Sequence, residues 1–283
     1  MAELHDAGNT AVTEHYSRRE VFMKNVGLKG GLPLVMIALA LILVTGSPAY
    51  SQNQFSGVEP TANQLLRKMT DYMAGIEEFS NQAENTLEVV LRSGEKIQFD
   101  TAVKGWIKRP NKLRADRKGD IVNQAFYYDG KTLTLYNPDE KVYATVSAPP
   151  TIEEMVDFAR DSLDVYAPAA DFLYKNAYDV LMEDVVSGFY VGPGVVDGVK
   201  CHHLAFRGNE VDWQIWIEDG DKPLPKKFII TTKWMTGAPQ FTVLVKGFDL
   251  APKFTDNFFT FVPPTDAQKI DFIHPSRGGT TER

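Results

Sequence analysis

The chain has a single cysteine, Cys201, in 283 residues, which excludes an intramolecular disulfide and a cysteine-rich zinc site. It has no excess of basic charge: 30 lysines and arginines face 37 acids, for a net charge of −7, and this argues against a sequence-independent binder of nucleic acid. Long apolar runs are missing too. Leu32 to Val44 spans 13 residues, where about 20 are needed to cross a hydrocarbon core. No internal repeat or low-complexity segment is present. The G-x-S-x-G, H-E-x-x-H, Walker and EF-hand patterns are also absent, which removes the common hydrolase, protease and nucleotide signatures. What is there is ordinary globular composition, 43% hydrophobic and 24% charged.

The short apolar run has the flanks of a secretory signal. Lys24 and Lys29 precede it, and Ser47-Pro48-Ala49-Tyr50-Ser51 follows, where cleavage after Ala49 or Ser51 places small side chains at −3 and −1. Residues 1–51 therefore read as an N-terminal extension and cleaved signal peptide. Met23 reads as the start, because the first 22 residues carry Glu3, Asp6, Glu14 and Glu20 beside Arg18 and Arg19, unusual in front of a signal, whereas Met23 opens Met-Lys-Asn at once. The expectation is an exported, soluble periplasmic protein whose residues 52–275 form one domain. Ser276 to Arg283, rich in Gly and Thr, reads as a disordered tail.

Hydrophobic spacing divides that domain into four parts. Thr61 with Gln64 has capping-box spacing and opens a helix of roughly 18 residues with Leu65, Met69, Tyr72, Met73 and Ile76 on one face. From Gln82 the period becomes two. Strands are expected at 87–91, 97–103, 112–118, 121–128, 132–136 and 142–146, punctuated by Ser93-Gly94, Asp129-Gly130 and Asn137-Pro138-Asp139. Pro149-Pro150 ends this run. Thr151-Ile152-Glu153-Glu154 is a second capping box, so residues 151–182 read as a helical insertion, with a further helix from Pro168. Strands resume at 189–191, 199–206, 211–218, 226–232 and 240–248, and Trp213, Ile215 and Ile217 alternate with Asp212, Gln214 and Glu218. The fold class expected is α+β: a strongly curved, open antiparallel sheet, a half-barrel of about ten strands, with helices covering its concave face.

Three stretches resemble the periplasmic lipoprotein carrier superfamily (LolA/LolB-like), and more closely an uncharacterised predicted-periplasmic branch of it. They are Trp106-Ile107-Lys108-Arg109-Pro110-Asn111 with Tyr128-Asp129-Gly130-Lys131-Thr132-Leu133 and Leu135-Tyr136-Asn137-Pro138; Val196 to Leu204 with Trp213 to Glu218 and Pro223 to Lys227; and Phe259-Thr260-Phe261-Val262-Pro263-Pro264, similar to the carriers' last strand. The resemblance covers roughly residues 61–273. It implies an apolar cavity under a helical lid that receives acyl chains or related lipids, with Arg109 placed to hold the lid closed and Leu113 at a large apolar cavity position. The carriers tend to have an aromatic at that position, and residues 151–208 differ more widely from theirs.

Met69, Met73, Trp106, Leu113, Phe126, Tyr128, Tyr136, Trp213 and Phe228 are the ligand-binding candidates, since large and adaptable side chains on a curved sheet and its helices can wall a cavity. Ordinary core packing is the competing reading for each of them. Arg109 is the candidate lid latch, bonding to carbonyls within 151–182. Cys201-His202-His203 invites a metal or thiol reading, but adjacent strand side chains face opposite ways, so His202 could not join Cys201 and His203. No metal, cofactor or catalytic residue is assigned. Gly192-Pro193-Gly194-Val195-Val196-Asp197-Gly198 lacks the spacing and strand-to-helix context of a phosphate loop and reads as a turn. The function expected is a non-enzymatic carrier or binding protein for a lipid, acyl chain or other hydrophobic ligand. The alternative is a protein-interaction or envelope-stress sensor module with a membrane-protein partner, and no nucleic acid is expected as a partner.

Overall fold

The computed structural model describes residues 57–165, 167–255 and 257–272. The expected leader and the expected tail lie outside these residues. Among them, thirteen strands form one open mixed sheet: β1 (Gly57–Val58), β2 (Glu78–Val90), β3 (Lys96–Lys108), β4 (Lys112–Gly119), β5 (Asn123–Tyr128), β6 (Thr132–Asn137), β7 (Val142–Ser147), β8 (Val185–Val196), β9 (Val199–Gly208), β10 (Val211–Glu218), β11 (Pro225–Thr232), β12 (Gln240–Asp249) and β13 (Gln268–Lys269). Their order across the sheet is β1-β8-β9-β10-β11-β12-β2-β3-β4-β5-β6-β7-β13. Two antiparallel meanders, β2 to β7 and β8 to β12, are thus sewn together where β12 pairs β2 from Phe241↔Leu87 to Asp249↔Ser80.

The count exceeds the expected ten mainly because of β1 and β13. Each is two residues long, too short for alternation to show in the sequence, and each pairs in parallel, so the sheet is mixed rather than purely antiparallel. Register shifts at Trp216/Ile217, Val245/Gly247, Val185/Ser187 and Tyr190/Gly192 mark bulges, which bend strands and sharpen their twist. One of them corrects an expectation. Gly192-Pro193-Gly194 is not a turn but lies inside β8, where Gly192 has φ 137°, and only Asp197-Gly198 makes the turn into β9. Beyond its two-residue pairing with β1, this stretch of β8 is a sheet edge, where proline's missing N–H costs no ladder bond.

Helix α1 (Pro60–Ala74) starts one residue before the expected cap. Glu59 is the N-cap, without a side-chain cap bond, and Pro60 occupies the first turn, where its missing N–H has no intrahelical partner to lose. Ala62, Leu66, Met69 and Met73 are buried at helical spacing, and α1 packs against β8, β9 and β10. Helix α2 (Ile152–Leu163) is capped as its sequence dictates: Thr151 Oγ1 accepts the Glu154 N–H at 3.2 Å and donates to Glu154 Oε2 at 2.8 Å. The helix expected from Pro168 is broken into a 3₁₀ turn (Ala170–Leu173) and α3 (Ala177–Met182). Because β7 and β8 stand near opposite ends of the sheet, the chain from 148 to 184 that carries α2, the 3₁₀ turn and α3 runs from one end to the other.

Candidate functional site: an apolar cavity beside the strand meanders

Alternation along the strands sends one set of side chains to a common face: Ala83 on β2, Val103 and Ile107 on β3, Leu113, Ala115 and Arg117 on β4, Phe126 on β5, Trp213 on β10, Phe228 and Ile230 on β11, and Phe241 and Val243 on β12. Together with Met155, Val156 and Ala159 of α2, Val165, residues 167–171 and Leu173, and Val180 and Leu181 of α3, they line a cavity of about 380 Å³. That volume falls in the range of small-molecule sites. Aromatic contacts stiffen one wall: Trp213 stacks on Phe206 with centroids 4.0 Å apart, and Phe228 meets Phe172 edge-on at 5.0 Å. A second cavity of about 450 Å³ adjoins the first, sharing Asn85, Arg117, Phe126, Val165, Pro168 and Phe241.

Of the side chains singled out from sequence, Leu113, Phe126, Trp213 and Phe228 meet on this wall. The others stand elsewhere. Met69 and Met73 are fully enclosed in the core under α1. Tyr128, two residues beyond Phe126 on the same face, is buried, and its hydroxyl donates to Pro149 O at 2.6 Å; burial pushes that phenol up to about 12. Trp106 and Tyr136 lie on the opposite face of the sheet, against the C-terminal segment. Trp106 meets Phe258 edge-on at 5.5 Å, and Tyr136 lies 5.3 Å from Phe261. That segment is not a strand at Phe259 to Pro264, and β13 comes later.

Arg109, 5% exposed at the end of β3, donates from Nη1 to Leu173 O at 2.5 Å and lies 3.7 Å from Glu153 Oε1, so it ties the strand to the 3₁₀ turn and to α2. Its Nε and Nη2 are buried without partners, and burial holds its pKa below the ordinary value despite Glu153 and Glu77. On α2, Asp157 accepts from Arg160 and from the Tyr174 hydroxyl, the latter at 2.7 Å. Asp171, on the cavity wall, has its pKa raised by burial, with Arg160 opposing.

Cys201, His202 and His203 lie on β9, each engaged separately. The Cys201 thiol points to Val199 O at 3.5 Å. His202 bridges Tyr190 OH and Asp219 Oδ1, each at 3.1 Å. His203 bonds Gln214 at 3.0 Å and stacks on Trp216 with centroids 3.9 Å apart. Among the described residues, no cluster of three or more such side chains could hold a metal ion.

Sequence reading missed Asn85 and Arg117. The signal was the period-two run Leu113, Ala115, Arg117, once Leu113 was taken as facing the cavity; what hid it was the habit of assigning arginine to solvent.

A family model described as "Predicted periplasmic protein (DUF2092)" matches residues 62–273. No curated protein matches the chain in sequence. Solved structures that align with it include an uncharacterised conserved protein from Thermus thermophilus (11% identity, 75% of this chain and 99% of that one, TM-score 0.44). LprF from Mycobacterium bovis aligns at 15% identity over 76% of this chain and 100% of its own, with TM-score 0.43. A LolA superfamily protein from Nitrosomonas europaea aligns at 10% identity over 71% and 97%, with TM-score 0.34. Among the described residues, no helix is long and apolar enough to cross a membrane.

Proposed function

The chain belongs to that family of predicted periplasmic proteins, and from this premise we propose that it is a periplasmic binding or carrier protein for a lipid, acyl chain or similar apolar ligand, and not an enzyme. The observation that carries the reading is the apolar wall that both meanders build with the 155–181 segment around about 380 Å³. In this reading α2, the 3₁₀ turn and α3 form a lid over the concave face of the sheet, and Arg109 is its latch. Each methylene moved from water onto such a wall contributes about 0.8 kcal/mol, so a single long chain supplies ample driving force for loading. Release then requires that the lid be held by few bonds. The tie from Arg109 to Leu173 O, with two guanidinium nitrogens left unpaired, fits a closure held by few bonds at its centre, alongside Ile152 N to Pro110 O at 2.9 Å and Tyr178 OH to Asn63.

A second reading, a protein-interaction or sensor module, has its own support in the β8 edge, where Phe189, Val191 and Val195 are 43%, 47% and 67% exposed. Both readings meet one experiment: purification from periplasm without detergent, followed by mass spectrometry of an organic extract. Stoichiometric lipid is the expected result. A lipid-free, folded protein that also refuses fluorescent fatty acid, yet retains a membrane protein in pull-down, would replace the carrier by the interaction module.

A further inference from the structure

Arg117 sits near the end of β4, on the same face as Leu113 and Ala115, and lines both cavities where they adjoin. Among the described residues its guanidinium makes no hydrogen bond and no ion pair, and the guanidinium carbon lies 5.9 Å from the Phe126 ring. Burial alone displaces its pKa downward, with no charged group contributing. Two strands away on the same face, Asn85 of β2 also lines both cavities, and its Oδ1 is buried without a hydrogen-bond partner. Of the acids that line the second cavity, Asp120 accepts the Asp100 N–H at 2.9 Å and Asp139 accepts from Asn123 at 2.7 Å, while Glu140 and Asp164 line it as well. A half-buried cation without a partner and a buried amide oxygen without one, both at the junction of the two cavities, are costly, and a ligand that completes them offsets that cost.

On the footing of the binding function proposed above, we propose that the ligand is an amphiphile with an anionic oxygen head, a carboxylate or a phosphate ester. Arg117 receives the head where the two cavities meet. The Asn85 amide, which can turn to present either its oxygen or its NH₂, bonds the rest of the head, and the tail runs along Leu113, Trp213 and Phe228. Arg117 is matched to this task, since its fork of N–H donors engages two oxygens at once and its charge persists when buried.

The test is displacement of the neutral probe N-phenyl-1-naphthylamine by dodecanoate, dodecyl phosphate and dodecanol, on the wild type and on Arg117→Gln and Arg117→Lys. The wild type is expected to prefer dodecanoate or dodecyl phosphate over dodecanol by roughly tenfold or more, the better of the two anions identifying the head. Arg117→Gln should lose that preference while keeping dodecanol and the probe, and Arg117→Lys should keep part of it. Independently of any ligand, Arg117→Gln should melt no lower than the wild type, because it removes a half-buried charge that has no partner. A wild type that takes up the probe but binds the three competitors alike would overturn the anionic head and leave the apolar cavity standing. Failure to take up the probe at all would overturn both.

Discussion

Arg114 and Arg117 stand three residues apart on β4 and point to opposite faces of the sheet, and they could hardly be provisioned more differently. Arg114 bonds Asp116 through two nitrogens, at 3.2 and 2.9 Å, and lies over the rings of Trp106, Tyr127 and Phe258 at 5.2, 4.8 and 5.0 Å. Around it the C-terminal segment fills its own space with aromatics: Phe254, Phe258 and Phe259 touch one another, and Phe261 sits among Tyr127, Tyr136 and Tyr143 at 5.1 to 5.3 Å. Among the described residues the Arg117 guanidinium, which faces the cavity, has no ion pair, although Asp171, Glu183 and Asp184 line the same space. One face is therefore a completed structure, and the other is a wall with room and unspent polar capacity. Arginines and aromatics on both faces look alike in sequence, and the geometry separates packing from binding.

The largest expected effect lies on the completed face. Phe259→Ala, at a residue 4% exposed among two other phenylalanines, should cost about 3 kcal/mol in chemical denaturation, while the folded fraction binds ligand as before. If instead ligand affinity collapsed with little loss of stability, the division between the faces would fail. Next comes the cavity itself. Ala115→Phe places a ring in the lined space and should weaken fluorescent fatty acid binding by about tenfold or more, that is about 1.4 kcal/mol per decade, with the melting temperature held or raised.

Arg109→Met should change stability by about 1 kcal/mol or less, because the lost bond to Leu173 O is offset by removing a buried, half-satisfied charge. Hydrogen exchange of the amides from 170 to 182 should nonetheless accelerate by about tenfold, and unchanged exchange would deny Arg109 the latch role. The smallest effect concerns Asp171. Burial raises its folded pKa above the unfolded value, so the native state binds more protons and stability is lost as pH rises through that folded pKa. Asp171→Asn should accordingly be the more stable protein at neutral pH, with the gap closing in denaturation curves as pH falls through the Asp171 transition.

Much of this was legible because it is local. The alternation of Trp213, Ile215 and Ile217, all buried, and the Thr151 cap follow from spacing and a single hydrogen bond, which short sequence windows contain. What sequence could not place depends on register and long-range packing. Leu113 and Trp106 are equally apolar, yet pairing Ile107↔Leu113 and Trp106↔Arg114 puts them on opposite faces. Met69 and Met73 carry adaptable side chains, but their helix packs onto β8 to β10 and buries both of them there. Gly192-Pro193-Gly194 has turn composition, and only its position on a sheet edge lets it continue as a bulged strand.

The account rests on an apolar chain entering the space before Trp213 and not the face of Trp106. A titration with brominated stearic acid, read by quenching of tryptophan fluorescence, addresses this directly in the wild type, Trp213→Phe and Trp106→Phe. The account expects saturable quenching that survives Trp106→Phe and largely disappears in Trp213→Phe. No saturable quenching in the wild type, or quenching that persists in Trp213→Phe and vanishes in Trp106→Phe, would contradict it.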